Sequence, residues 1–365
     1  MLKPLSSNLF IAILALLGTG LVQVYSSSYI FAFETYGDGL FFFKKQAIFL
    51  VLGLLAFFSA FSLPLKWVEK SSWLLWVIGF FGVVLTLIPG VGVKVGGAHR
   101  WLQLPLGIRF EPGELLKIAF VFYFSSILYL RQELFKKIPL YVLLILLVLP
   151  LVLLLKQPDF GSFSIICLTA VALLFIFGLS WKYIASAVIA AIPLFYFLVM
   201  KVDYRRARVM AFLDPWADPE HKGFQVIQSM LSFHSGGFSG VGIGQGQGKL
   251  FFLPEAHTDF TLAVFGEEMG FIGFFLLLSL YGFIIYRTLQ IAFMVKAEFL
   301  KSLVIGAATV FGINVFINCG VVLGLLPTKG LTLPFLSYGG SSLVIYMFLF
   351  GIIVNIEKNM ERNLN

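Results

Sequence analysis

Charge is the scarcest ingredient of this sequence. Lys and Arg number 26 and Asp and Glu 18 among 365 residues, 12% together, about half of the ~25% usual in soluble domains. That is too little to cover the solvated surface of a soluble chain this long. A soluble enzyme, a disordered tail and a nucleic-acid module are therefore excluded. Cysteine is scarcer still: Cys167 and Cys319 both lie in apolar runs. No disulfide framework beyond one pair is available, and both read as packing residues. The four histidines, His99, His221, His234 and His257, show no metal-ligand spacing. No HExxH, CxxC pair, Walker loop or G-x-S-x-G occurs, so metalloprotease, ATPase and serine hydrolase lack support. The glycines from Gly236 to Gly248 alternate without forming G-x-G-x-x-G, and no 20–50-residue repeat is present.

What is abundant is apolar. Hydrophobic residues make up 59% of the chain, with 42 Phe, and the mean hydropathy is +0.97. A membrane helix needs ~20 mostly apolar residues. Charge-free windows run over 4–33, 46–65, 71–93, 118–130, 138–155, 160–181, 183–200, 269–286, 302–328 and 330–355. The fourth must begin near Glu114, and the last near Ser341. The sequence thus predicts an all-α polytopic membrane protein of about ten transmembrane helices, one domain over 1–365. A large extracytoplasmic loop, 201–258, joins spans seven and eight. The first window, long for a signal peptide and without a clear cleavage site, reads as a retained span. With the termini inside, inner segments hold twelve Lys/Arg and the short outer loops seven. By the positive-inside rule both termini are cytoplasmic. The net charge of +8 suits anionic lipid.

Ionisable groups at membrane depth are functional candidates. Glu114 and Lys117 share a helix face at i,i+3, either locking two helices or walling a polar cavity. Glu267 and Glu268 point about 100° apart, so at most one faces a given cavity. Glu255, His257, Thr258 and Asp259 crowd the mouth of span eight, where an Asp could also simply cap a helix. Residues 98–102 look like an amphipathic interfacial piece. Gln157-Pro158-Asp159-Phe160-Gly161 puts an amide and an acid in a tight loop. Residues 327–341 form a Gly/Pro-broken polar stretch, with Lys329 and Ser337, that survives at depth only where protein or water satisfies it. The alternating topology places these loop segments on one outer face.

At these segments the sequence resembles the SEDS family (shape, elongation, division and sporulation) from about Asn8 to Ile356. The matching blocks are Gly97-Ala98-His99-Arg100-Trp101-Leu102, Glu114 with Lys117, Gln157 to Gly161, Leu253 to Phe260, Gly266-Glu267-Glu268, Leu326 to Leu331 and Ser337 to Ser342. Thr328-Lys329-Gly330 and Ala256 favour the division branch over the elongation branch. Gly113 and Ser162 depart from the family's usual Ser and Thr.

The resemblance implies a peptidoglycan glycosyltransferase that polymerises lipid II, an undecaprenyl-pyrophosphate disaccharide pentapeptide, outside the cytoplasmic membrane during cell division. Its implied partners are a class B penicillin-binding protein transpeptidase and other divisome membrane proteins. Asp259 matches the family's essential Asp and would be the general base. Arg100, Glu114, Lys117, Gln157, Asp159, Glu255, His257, Lys329 and Ser337 are the implied substrate-binding residues. The leaving pyrophosphate calls for positive charge, from Arg100, Lys117, Lys329 or a bound divalent cation, Mg or Mn. The rivals are a lipid II flippase, which needs a charged path through the whole membrane depth, an elongation-type polymerase and a scaffold.

Overall fold

The computed structural model of the chain describes residues 7–95, 98–137, 140–221 and 223–364. Lys3, one of the twelve inner Lys/Arg, and Gly97 of the first matching block lie outside them. Thirteen helices follow in order among the described residues: α1 (Asn8–Tyr36), α2 (Phe41–Ser62), α3 (Leu65–Lys70), α4 (Ser72–Thr86), α5 (Pro112–Lys137), α6 (Leu140–Lys156), α7 (Phe160–Ile176), α8 (Trp181–Phe195), α9 (Asp203–Leu213), α10 (Phe224–Gly236), α11 (Thr261–Met294), α12 (Glu298–Val322) and α13 (Gly340–Leu364). A helix satisfies its own backbone, which is what a bilayer demands of a spanning segment. Each apolar window falls on one of these helices, and α13 begins at Gly340, beside the expected Ser341. By length and composition five of them can cross a membrane: α1, α2, α11, α12 and α13.

The helix ends are written locally. Ser7 caps α1, its hydroxyl accepting from Phe10 N–H. Gly37, at φ 71°, ends α1 by returning its N–H to Phe33 O, the left-handed cap that glycine adopts without steric cost. In the core, α13 packs on α2, α5 on α4 and α12, and α11 on α12. Phe311, Phe335, Tyr346 and Phe350 form an aromatic cluster with ring centroids 5.1–6.1 Å apart. The irregular stretch between α12 and α13 is held by polar side chains at depth. Tyr281 Oη donates to Pro334 O at 2.6 Å and Asn318 Nδ2 to Leu331 O at 2.6 Å, while Ser337 Oγ accepts from Leu333 N–H at 3.0 Å.

One reading of the sequence needs correction. Residues 98–102 belong to strand β2 (Ala98–Gln103), which pairs antiparallel with β1 (Gly92–Val95) and β3 (Arg109–Phe110). The β-branched Val93 and Val95 and the aromatic Trp101 suit a pleated surface, and Val93 faces Trp101 across the ladder. The expected inter-span segment 201–258 carries two α-helices of its own, α9 and α10. The α10 face carrying Val226, Ile227, Ser229 and Ser232 is buried, and Ser229 Oγ donates to Val322 O at 2.6 Å.

The end of that segment repairs a break in α11. Gly270 leaves helical geometry at φ 63°, ψ −167°. The carbonyls of Glu267 and Glu268 accept instead from Val241 and Gly242 N–H, each at 3.0 Å. Phe271 and Ile272 N–H donate to Gly237 and Phe238 O at 3.0 and 3.2 Å. A methyl group at Gly270 would strike Gly240 N, whereas one at Gly282 meets nothing within 4 Å. Gly270→Ala should therefore cost at least about 1–3 kcal/mol and lower the thermal midpoint in detergent. Gly282→Ala should leave it unchanged or slightly raised.

Candidate active site

Strand β2, the start of α7, α9 and the connection from α12 to α13 meet around one cleft, partly open to solvent and of about 580 Å³ with the solvent at its mouth included. Four cations line it, Arg100, Arg205, Arg208 and Lys329, with Phe160 and Thr328 among the other lining residues. Arg100 donates to Pro158 O, and its Nη1 lies 3.9 Å from Asp159. Arg205 Nη2 donates to Leu155 O at 3.3 Å, and Arg208 Nη1 to Thr328 O at 3.1 Å. Arg205 and Lys329 both sit over the Phe160 ring, 5.4 and 5.5 Å from its centroid. Burial pushes the Lys329 ammonium below its ordinary pKa. Burial and then the neighbouring Arg100 do the same to Arg205.

Asp259 lies beside this cleft, in the turn before α11. A methyl group on Gly330, which adopts φ 67°, would lie 3.3 Å from Asp259 Oδ2, so the carboxylate rests against the Lys329–Gly330 turn. Asn318 Nδ2 bridges the two segments, donating to Asp259 O at 3.1 Å and to Leu331 O at 2.6 Å. Burial, and then the charge of Glu255, raise the Asp259 carboxyl from 3.8 to about 7, against the opposing pull of Arg208 and Arg100.

The other expected residues divide by what they touch. Glu255 adopts φ 57°, a sparsely populated conformation for this residue type that often marks function; its carboxylate accepts from Thr258 Oγ1 at 2.7 Å. The His257 ring packs on Phe31 and Phe42, with centroids 5.3 and 4.5 Å away. Burial lowers its pKa, with Glu255 opposing. Tyr338 N–H donates to His257 O at 2.9 Å. Asp159 caps α7 through Ser162 N–H at 3.1 Å. Gln157 Nε2 donates to Val83 O at 3.1 Å and to Thr86, tying the cleft to α4. Ser337 braces its own loop as described.

Glu114 and Lys117 do not line this cleft. They form an ion pair of 2.7 Å, with Lys117 1% and Glu114 6% exposed. Glu267 and Glu268 are both buried, and both hold the segment before α11. Glu267 accepts from Gln247 and Gly248 N–H at 2.8 and 3.0 Å. Glu268 accepts from Lys249 Nζ at 2.6 Å and from Ser26 Oγ at 2.6 Å.

The sequence reading missed Arg205, Arg208, Lys249 and Glu111. The signal for the first two was their i,i+3 spacing, which puts them on one helix face. Glu111, just before α5, is pushed well above the usual carboxylate range by burial and by Glu114 and Asp159. Among the described residues, no group of three or more His, Cys, Asp and Glu could hold a metal ion. The cleft lining carries no carboxylate. These residues do not fit a divalent cation.

The fold and site define a polytopic helical membrane protein whose cationic cleft adjoins a titratable carboxylate. The chain belongs to the FtsW/RodA/SpoVE family: a family model described as FTSW_RODA_SPOVE, cell cycle protein, matches residues 7–362. A Geobacter metallireducens protein named "Probable peptidoglycan glycosyltransferase FtsW" is 43% identical over 349 residues, covering 94% of this chain and 92% of its own. A Trichlorobacter lovleyi protein of the same name is 39% identical over 360 residues, covering 97% and 93%. Among solved structures, a chain from a study of how a peptidoglycan synthase complex coordinates polymerization and crosslinking matches with TM-score 0.76 and 28% identity, over 96% of this chain and 97% of that one. Thermus thermophilus rod shape determining protein RodA matches with TM-score 0.68 and 25% identity, over 96% of each chain.

Removing one partner of a buried ion pair strands the other charge, at about 3–5 kcal/mol. Glu114→Ala and Lys117→Ala should each cut folded yield and thermal stability by an amount of that order. The double variant should lose less than the sum of the two. Strict additivity would show the residues to be independent.

Proposed function

We propose that the chain is a peptidoglycan glycosyltransferase that polymerises lipid II during cell division, with Asp259 as general base. The observation that carries this reading is a carboxyl with a pKa of about 7 beside a cleft lined by four cations. The 4-hydroxyl of the acceptor sugar attacks C1 of the donor sugar. Asp259 takes the hydroxyl proton, and the lipid pyrophosphate departs with the C1–O bonding pair. A base whose pKa lies near the working pH is best placed for that transfer, worth about 10²–10⁴-fold. The pyrophosphate is already a good leaving group and needs positive charge more than a proton, which Arg100 and Lys329 supply. Attack from the opposite face inverts C1.

Lipid II keeps its pyrophosphate among the headgroups and its tail in the bilayer, so the reaction belongs at a membrane surface. The charge distribution over the loops supports an outer active face and cytoplasmic termini. The relatives' names and the synthase complex support a class B penicillin-binding protein transpeptidase as partner. A flippase would need ionisable groups spaced through the membrane depth. The buried pairs Glu114–Lys117 and Glu268–Lys249 are locked together, which does not favour that rival.

Asp259→Asn preserves shape and should cut polymerisation of purified lipid II by at least about a hundredfold, with membrane insertion intact. Normal polymer from this variant would defeat the assignment. Because the base must be ionised, wild-type turnover should rise with pH through about 7 and level off above it. The folded pKa lies above the unfolded one, so ionised Asp259 costs stability at high pH. Asp259→Asn should then melt above the wild type at pH 8, by a margin that shrinks toward pH 4.

Orientation has its own test. In a background without Cys167 and Cys319, a cysteine at Ile243, 59% exposed, should react with an impermeant maleimide from outside. A cysteine at Asn363 should not. The reverse pattern would overturn the outward-facing site.

A further inference from the structure

We propose that Glu267, with the Lys249–Glu268–Ser26 cluster, is a positioning group for Asp259: together they close residues 248–260 into a loop on α11 and fix where the carboxyl near its end lies. This rests on the functional reading above and adds the residues that hold its base in place. Glu267 and Glu268 are each used twice. Their carbonyls accept from Val241 and Gly242 N–H, and their carboxylates hold the chain a little further on. Glu267 takes Gln247 N–H on Oε1 at 2.8 Å and Gly248 N–H on Oε2 at 3.0 Å. Glu268 Oε1 accepts from Lys249 Nζ at 2.6 Å, and Ser26 Oγ of α1 lies 2.6 and 2.9 Å from its two oxygens. Lys249 Nζ also donates to Ser26 Oγ at 3.0 Å. All four side chains are buried. The anchor has no slack: a methyl group on Gly248 would lie 2.6 Å from Ser232 Oγ and 2.9 Å from Glu267 Oε2.

Glu267 and Glu268 stand roughly two turns into α11, about 10 Å along the axis from its start, and neither lines the cleft. Their influence on Asp259 therefore runs through the loop. Near the far end of the loop, the helix that supplies Ser26 also supplies Phe31, whose ring stacks on His257 at 5.3 Å, while Asn318 holds Asp259 O. A buried ion pair is often no better for stability than apolar side chains of the same volume; what this one supplies is a single register for the loop. Asp259 faces Glu255 of its own turn, Arg208 of α9, Arg100 of β2 and the Lys329–Gly330 turn. Burial is the largest influence on its proton, so a loop released from its anchor admits water and lowers the pH at which Asp259 ionises.

The test uses the purified full chain in detergent, with Glu267→Gln and Lys249→Met to undo each anchor. Each should lower kcat on lipid II about tenfold or more, as displacement of a catalytic group does, with KM within about twofold of wild type. The midpoint of the pH profile of turnover should fall by at least about half a pH unit. The margin by which Asp259→Asn melts above its parent at pH 8 should shrink in both backgrounds, a readout that needs no turnover. Glu268→Gln keeps the shape, loses the charge and serves where Lys249→Met fails to fold. Lys249→Arg keeps the charge and should return every readout most of the way to wild type. Arg287→Gln breaks the 3.0 Å pair with Glu357 toward the other end of α11; it should lower stability and leave the midpoint and the margin unmoved. Anchor variants that lose yield or stability with the midpoint and margin unmoved would overturn the proposal, since a purely structural anchor does that. So would an Arg287→Gln variant that moves them, which would mark general softness of α11. The two readings fail separately. A shrinking margin in a chain that makes no polymer refutes the polymerase alone. Polymer formation with midpoint and margin unmoved in the anchor variants refutes the positioning role alone.

Discussion

A bilayer offers no hydrogen-bond partner to the polar group it covers, and this restriction organises the whole molecule. Several buried ionisable side chains are answered by a partner from another turn or another helix. Lys117 meets Glu114 on α5, and Lys249 meets Glu268 and Ser26, tying α11 to α1. Arg287 meets Glu357, which also accepts from Ser7 Oγ, tying α11, α13 and the start of α1. The same requirement governs the backbone. Where Gly270 breaks α11, the released carbonyls are taken by amides of a segment that reads as a loop. Polar groups also gather at the cationic cleft, which is partly open to solvent.

That concentration explains the electrostatics of the site. Asp259 sits against the Lys329–Gly330 turn, near two arginines, yet burial outweighs them and its carboxyl is raised. Lys329 and Arg205 are themselves pushed down by burial. A raised carboxyl and a group of cations are thus held side by side without collapsing into a simple salt bridge. The separation is maintained by Asn318, whose one amide nitrogen holds both the Asp259 and the Leu331 carbonyls.

How much of this the sequence carries depends on the length scale of each signal. Apolar windows are long, and each of them lies on a helix, including the start of α13 within a residue. The motif at 253–260 announced its own turn, with Glu255, His257 and Asp259 close together. Arg100 and Lys329, 229 positions apart in the numbering, were named individually but could not be joined without the fold. The hairpin of β1 and β2 escaped because four- to six-residue strands leave no period to count beside an apolar helix. Helix α9 escaped because it is polar and short, so its arginines looked like loop charge. The pairing of Glu267 with amides at Gln247 and Gly248 depends on a tertiary fold-back that no local pattern encodes.

The cleft's supports share one property. Arg100, Arg205, Arg208 and Asn318 all donate to main-chain carbonyls: those of Pro158, Leu155, Thr328, Leu331 and Asp259. A carbonyl is present whatever side chain the position carries. Mutational drift at Leu155, Thr328 or Leu331 therefore leaves each acceptor in place so long as the backbone trace survives, while the four donors have no such latitude. The cost of substitution on this surface is asymmetric in consequence: a new side chain at a carbonyl-bearing position keeps these bonds, and a new side chain at a donor removes them.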